Sequence, residues 1–559
     1  MMRILLPAVL FFSMPCVFAQ VNQSPYFSYP LSVPPKLNAN FGEMRPNHFH
    51  MGLDLNTLSR ENLPVYAPAD GFISRMKIET GGFGRAIYLD HPNGTTTLYA
   101  HMNRFIPMAE KYLEDQQYQQ KTWKIDLTVP PNRFPVKKGQ LIGYSGNTGA
   151  SQGPHVHFEI RDTKTENCLN PLRFGLPPVD VTPPDLHRLV FYDRSKSLYE
   201  QTPHVYHLIK KGNSYTPSTP VELPFEETFI AIQATDRVTG APNANGIFRA
   251  VLTKSDKPIN GFELENISYD KTRYLNGHID HAHRMRGGAY YQMMFPPKHF
   301  DLPIYQNETK YLDVPEFSSS YEIDVFDTEE NKSTISFTLK QKAGTRSSAT
   351  FPGAQFLSGM VNVYEDDEVQ FVFDEHAFYD DFHFNLQKYF ANSSTELSST
   401  IHAMPEFVPV QTYFSLRIKP NRNIALIDPD RLVIRRQLRT RTEIKKAVLE
   451  KGWAAASFRE LGSFQLLQDL IPPSISTTLR DGAGLVNGSR ISFFVTDNLK
   501  EIQAFSVEVD GQWLLFKPSG SSYNYTVDQH FPEGEHLLTA VVKDEAGNET
   551  VRSYRVTKK

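Results

Sequence analysis

Cysteine is nearly absent from this chain, with two in 559 residues, Cys16 and Cys168. Cys16 falls in a leader-like N-terminus. That leaves Cys168 alone, and a single thiol closes no internal disulfide, so the fold stands on its apolar cores rather than on covalent staples. Long apolar runs are equally scarce. The one candidate opens the chain: Arg3 gives a positive start, Ile4 to Phe18 is mostly apolar, and Val17-Phe18-Ala19 offers small residues at −3 and −1. This stretch is too short to favour a spanning helix. Residues 1–19 therefore read as a secretory signal peptide, with export to the periplasm or cell envelope and no membrane span after cleavage. An excess of charge is also missing: 58 basic and 62 acidic residues leave a net −4, which gives no support to nucleic-acid binding.

What the chain does have is aromatic residues at 12%, with frequent Pro, Gly, Asn and Asp, the composition of a mainly β protein. Length argues for about four domains. Residues 20–37 read as an N-terminal lead-in, 38–175 as a first domain and 176–184 as a proline-rich linker ending in Pro183-Pro184. A second Pro-Pro pair stands at Pro472-Pro473. Both pairs introduce alternating apolar and polar residues with turn signals, the pattern of sandwich strands. A faint repeat accompanies them: Thr235-Asp236 recurs as Thr496-Asp497, and Asp327-Thr-Glu-Glu-Asn331 recurs as Asp544-Glu-Ala-Gly-Asn548. Residues 185–343 and 471–559 are thus expected to form immunoglobulin-like β-sandwiches, the first enlarged by insertions. Residues 344–470 are expected to form a further β-rich domain with a helical piece near Glu443 to Lys451. Within the first domain, an insertion over 105–134 is expected to be partly helical, with Met108, Tyr112 and Leu113 on one face.

Two histidine pairings carry the chemical signal: His50-Met-Gly-Leu-Asp54 and Pro154-His155-Val-His157-Phe158. In an extended strand, side chains at i, i+2 and i+4 share a face. His50 and Asp54 can then aim at one point, and so can His155 and His157. If the two strands lie side by side, they supply three N/O ligands with one histidine left over. Three such ligands with an open position is the build of a catalytic zinc site.

Around these pairings the chain reads Asn40-Phe-Gly-Glu-Met-Arg45, then Gly81-Gly82-Phe-Gly84, Leu98-Tyr-Ala-His101-Met102 and Gly143-Tyr-Ser-Gly146-Asn-Thr-Gly149. Over roughly residues 38–175 this order resembles the LytM/lysostaphin-type zinc metallopeptidases, murein hydrolases that cut peptide bonds in bacterial cell walls. The resemblance implies a LytM-type antiparallel β-sheet domain, one Zn2+ per chain, and His50, Asp54 and His157 as its ligands. It implies peptidoglycan peptide stems as substrate, cut through a metal-activated water. His155, two residues from a ligand on the same strand face, is assigned as general base and then as proton donor to the leaving amine. His101 is assigned to the developing oxyanion, or to orienting the water together with His155; the division between the two stays open. Arg45 matches a family position near the metal and either holds a loop or meets a substrate carboxylate. Glu159 is a candidate acceptor behind His157. Either a D-alanyl-diaminopimelate bridge or a glycyl bridge fits, and the lack of a visible wall-binding repeat leans to the former.

The alternative is a LytM-type non-catalytic module that regulates a separate wall amidase. Such modules have lost a His or Asp, whereas His50, Asp54, His101, His155 and His157 are all present. A scaffold or adhesin dominated by its β domains is a third reading, and those domains offer a surface for an envelope protein partner. Other clusters rank lower. His376 and Asp380 repeat the first spacing without its flanking glycine. His278, His281 and His283 sit in a loop-like stretch. Arg435, Arg436, Arg439 and Arg441 read as a solvated face, as does the acidic run 365–368. Cys168 reads as a small residue in a turn, and His48 as a bystander.

Overall fold

The computed structural model describes residues 26–239, 241–306, 309–342, 350–390, 395–422 and 424–559. The leader-like segment 1–19 lies outside them. Strands hold 48% of the residues and helices 7%, so the chain is mainly β, as its composition predicts. No helix among the described residues is long and apolar enough to cross a membrane.

The first domain is built on an antiparallel sheet. Its strands run in the order Leu37–Ala39, Leu53–Asn56, His155–Asp162, Thr95–Ala100, Arg85–Asp90, Gly71–Ile78 and Ile125–Thr128. The strand His155–Asp162 lies between the strand that carries Asp54 and the one that leads into His101. Its alternation is strict. Val156, Phe158 and Ile160 join the apolar core, which also takes Val65, Phe105 and Ile142 from a small second sheet. His155, His157, Glu159 and Arg161 therefore share the other face.

The insertion forms the helix Pro107–Gln120, opened by its proline at the first turn. Ala109, Leu113 and Gln117 are its buried residues, and Met108 is 69% exposed. Of the expected face, Leu113 is buried and Tyr112 packs against the core, but Met108 is corrected to solvent; the buried row is i, i+4, i+8. Near its far end Tyr118 stacks on His530 at 3.8 Å and meets Trp513 edge-on at 5.5 Å. The last sheets of the chain thereby return to the first domain.

Residues 185–341 form an 11-stranded assembly. Its core takes in Phe41, Phe49, Met51 and Cys168 from the first domain, and its strand Asn266–Ile267 pairs with Cys168–Leu169. Cys168 is thus in a buried strand, not the expected turn. Two further pairs of sheets follow, one from residues 354–468 and one from residues 474–558.

Three other expectations are corrected. The helix expected near Glu443 is the strand Arg441–Lys446, paired antiparallel with Leu432–Leu438, followed by the strand Val448–Glu450. Ile444 is buried between solvated neighbours, and cross-strand pairing overrides the helix-forming composition. The stretch with His278, His281 and His283 is not a loop but two helical turns, Leu275–His278 and His281–Met285; Asp280 caps the second by accepting from the His283 N–H at 2.8 Å. Arg436 is not solvated. It is buried and paired with Glu460 at 2.7 Å.

Candidate metal centre

The single extended strand expected to carry both His50 and Asp54 is interrupted: His48–Phe49 ends before His50, and a bend at Gly52 leads into Leu53–Asn56. Phe49 and Met51 enter the core shared with the second domain, so His50 faces the other way, onto the polar face of His155–Asp162. Gly52 lets the two segments approach. A Cβ there would stand 2.3 Å from the Phe158 carbonyl oxygen and 2.8 Å from Glu159 Cγ. Asp54 and His157 are direct cross-strand partners, which brings their side chains together across a single ladder rung.

Three donor atoms converge as a result. His50 Nε2 lies 2.9 Å from Asp54 Oδ1 and 3.0 Å from His157 Nδ1, and His157 Nδ1 lies 3.0 Å from Asp54 Oδ1. All three residues are buried, at 5–6% exposure. The remaining ring nitrogens are already committed. His50 Nδ1 donates to the Asn40 carbonyl at 2.7 Å, and His157 Nε2 donates to Glu159 Oε1 at 2.8 Å. That assignment leaves His50 Nε2 and His157 Nδ1 as bare lone pairs, facing each other and a carboxylate oxygen. Three lone pairs at such distances repel unless a cation lies among them. Two imidazole nitrogens and one carboxylate suit zinc, and each imidazole is steered by an acceptor behind it. A proton is the competitor for this position. Burial works against a charged His157, but Asp54 and Glu159 outweigh it and raise that ring to about 9.

The support behind the ligands is charged and dry. Glu159 is fully buried and accepts from Arg161 at 2.6 Å. Burial alone would raise its carboxyl, but Arg161 and His157 hold it down to about 2. Cys168 Sγ donates to the same carboxylate at 3.5 Å. Arg45 spans Glu43 at 2.9 Å and Asp54 Oδ2 at 3.0 Å, so it braces the ligand's second oxygen. Tyr269, from the second domain, lies over the Arg161 guanidinium at 4.8 Å. Asn40, Glu43, Arg161 and Tyr269 were not singled out from the sequence. Only the Arg161 position, continuing the alternation of His155, His157 and Glu159, carried a signal.

His101 and His155 stand beside the triad with their rings 4.6 Å apart. His101 follows the strand Thr95–Ala100, whose Ala100 pairs with His157, and sits in the left-handed region at φ 60. Its Nδ1 donates to the Thr148 carbonyl at 2.8 Å. Gly84 and Gly149, both at positive φ, hold Thr148 in place where their two loops meet backbone to backbone; a Cβ on either would come within 2.4 Å of the other loop. Burial, then His157 and His155, push the His101 imidazole down to about 3, so it is neutral near pH 7. His155 Nδ1 donates to the Gly153 carbonyl at 2.8 Å, and its Nε2 lies 3.4 Å from Asp54 Oδ1. The other sequence clusters do not join the site. His48 Nδ1 bonds to the nearby Pro46 carbonyl, and His278 is buried between Phe49 and Phe262.

Comparison with known proteins points the same way. Residues 48–117 and 128–171 match the model of peptidase family M23, and residues 355–469 match that of a Zu5-like domain. A protein of Haemophilus influenzae named as an uncharacterized metalloprotease is 32% identical over 136 residues, 24% of this chain and 22% of its own. The DD-carboxypeptidase/endopeptidase Mpg of Neisseria meningitidis serogroup B is 34% identical over 136 residues, 24% of this chain and 25% of its own. The match thus spans about a quarter of each relative's length. Among solved structures, the catalytic domain of the antimicrobial peptidase lysostaphin from Staphylococcus simulans is 24% identical, covering 25% of this chain and 91% of that one, with a TM-score of 0.18. The segment that carries His50, Asp54 and His157 is the one that matches peptidase family M23.

Proposed function

We propose that this protein is an exported zinc metalloendopeptidase that hydrolyses the peptide cross-links of peptidoglycan, acting in the periplasm or cell envelope. The observation that carries the reading is the triangle of His50 Nε2, Asp54 Oδ1 and His157 Nδ1 at 2.9–3.0 Å, with both other ring nitrogens tied off as donors. These three residues would hold one Zn2+. When bound, zinc supplies the Lewis acidity that brings a water's pKa to about 7 and polarises the scissile carbonyl.

The rest of the chemistry belongs to the chain. His155, with Nδ1 held by the Gly153 carbonyl, presents Nε2 as the base that takes the proton of the attacking water. The same atom then returns that proton to the leaving amine. His101, neutral and fixed by its Nδ1–H on the Thr148 carbonyl, presents its Nε2 lone pair and orients the water with His155. Asp54 is braced by Arg45 and so keeps one oxygen turned to the metal. The Neisseria meningitidis relative named as a DD-carboxypeptidase/endopeptidase supports a D,D bond over a glycyl bridge. LytM-type modules that act as regulators have lost a His or Asp, and all five positions are filled here.

The test is direct. The purified protein is assayed for bound zinc and incubated with defined muropeptide dimers. Cleavage is expected, abolished by chelation and by His155→Ala, with zinc content retained in that variant. Full zinc occupancy with no cleavage of any wall peptide, together with tight binding to an amidase, would overturn the reading in favour of the regulatory module.

A further inference from the structure

We propose that the two sandwich-like units each bind a divalent calcium ion, the first through Asp180, Asp236 and Asp327 and the second through Asp469, Asp497 and Asp544. In each trio, one carboxylate oxygen per residue lies within 4.8 Å of those of the other two. Asp180, Asp236 and Asp327 are buried at 5%, 3% and 2% exposure. Within this dry volume Asp180 Oδ2 and Asp236 Oδ1 have no hydrogen-bond partner among the described residues. A buried carboxylate oxygen left without a donor is costly, and three carboxylates brought together repel unless a cation or protons are shared among them.

The second trio repeats the side-chain contacts that frame the first. Asn331 Nδ2 donates to the Asp180 carbonyl at 3.1 Å and to Asp327 Oδ2 at 2.7 Å. Asn548 Nδ2 donates to the Asp469 carbonyl at 3.0 Å and to Asp544 Oδ2 at 2.9 Å. Ser333 and Thr550 donate in the same way to the carbonyls of Pro184 and Pro473. Asp497 Oδ1 is again unpartnered, although the Asp497 residue is only partly buried. The sandwiches differ widely in sequence and insertions, yet the same three carboxylates survive at the same end of each. That end is where the preceding segment enters the first strand.

The donor set selects the ion. Carboxylate oxygens alone, with no imidazole or thiolate, suit a hard cation, and calcium tolerates irregular oxygen coordination better than magnesium. Each ion would tie an incoming segment to its sandwich. In the first unit it would also fix the loop after Asp236. That loop places Val238 in the first domain's core and Gly246 against Asn40, 2.8 Å from its Nδ2, and the Asn40 carbonyl in turn steers His50.

Calcium uptake by the full chain, stripped of metal and reloaded with one equivalent of zinc, tests this by titration calorimetry. The wild type is expected to take up two calcium ions and to melt at a higher temperature in their presence. Asp236→Asn and Asp497→Asn are each expected to take up one, and the double variant none, while Asp54→Asn still takes up two. No uptake by the wild type at millimolar calcium would overturn the proposal without reference to any variant. So would uptake that is unchanged in Asp236→Asn, or lost in Asp54→Asn. Wild-type protein that takes up no calcium, with metal-free Asp236→Asn melting higher than it, would assign the cluster to shared protons instead.

Discussion

At the scale of single residues, the metal centre depends on what stands behind each ligand. Glu159 holds the His157 Nε2–H and pairs with Arg161, with all three side chains out of water. Glu159→Gln keeps the shape and removes the charge. The expected result is zinc affinity lower by about 10–100-fold, measured by competition with a chromophoric chelator. The metal-free protein should also melt lower, because a buried guanidinium loses its partner. Unchanged affinity would mean that Glu159 does not steer His157. His155 and His157 were legible because strand geometry has a period of two and both lie in one strand; His50 lies outside a strand, and the motif around it marked it rather than the period. The Asn40 carbonyl was not legible, since any residue type supplies a carbonyl and only the fold places it against His50. Glu43 and Tyr269 were hidden for a related reason. They reach Arg45 and Arg161 through loop and interdomain packing, which has no periodic signature.

At the scale of elements, the strand His155–Asp162 was readable because its two faces differ sharply. The stretch from Glu443 to Lys451 was not. Its Glu, Lys, Ala and Leu content favours a helix, and only pairing with Leu432–Leu438 makes it a strand. The helical turns Leu275–His278 and His281–Met285 were read as loop, although Asp280 stands at the capping position. Burial pushes His278 down to about 3 and His281 down to about 4, from an ordinary value of about 6.5. Between those values the unfolded chain binds protons that the folded chain refuses. Stability is therefore whole above about pH 6.5 and falls as the pH drops toward 4 and then 3. From pH 7 to pH 5 each histidine should cost about 2 kcal/mol. His278→Gln removes one of the two, so its urea midpoint should fall less steeply over that interval than the wild type's. An identical pH dependence would rule out His278 as a contributor.

At the scale of the whole molecule, the first domain is not self-contained. Phe41, Phe49, Met51 and Cys168 are buried in a core that belongs mostly to residues 186–339, and each side chain is worth roughly 1.5–3 kcal/mol when shielded from water. A fragment covering residues 26–176 is expected to aggregate, or to bind zinc more weakly than a fragment covering 26–342. Size-exclusion chromatography and zinc competition on the two fragments check this; equal behaviour would show that the shared core is dispensable. The sequence marked the proline-rich joint between these units but not their interpenetration, because Phe49 and Met51 look like ordinary core residues of their own domain.

The stack of Tyr118 on His530, with Trp513 at its edge, acts as a buckle. It joins the last sheets of the chain to the insertion helix of the first domain. Unfastening it with Tyr118→Ala should let the tail drift outward, seen as a larger radius of gyration in small-angle X-ray scattering, while the zinc content stays at one per chain. A compact, unaltered scattering profile would mean that the closure is held elsewhere. If the buckle does open, the separation between the two ends of the chain is set by this one aromatic clasp.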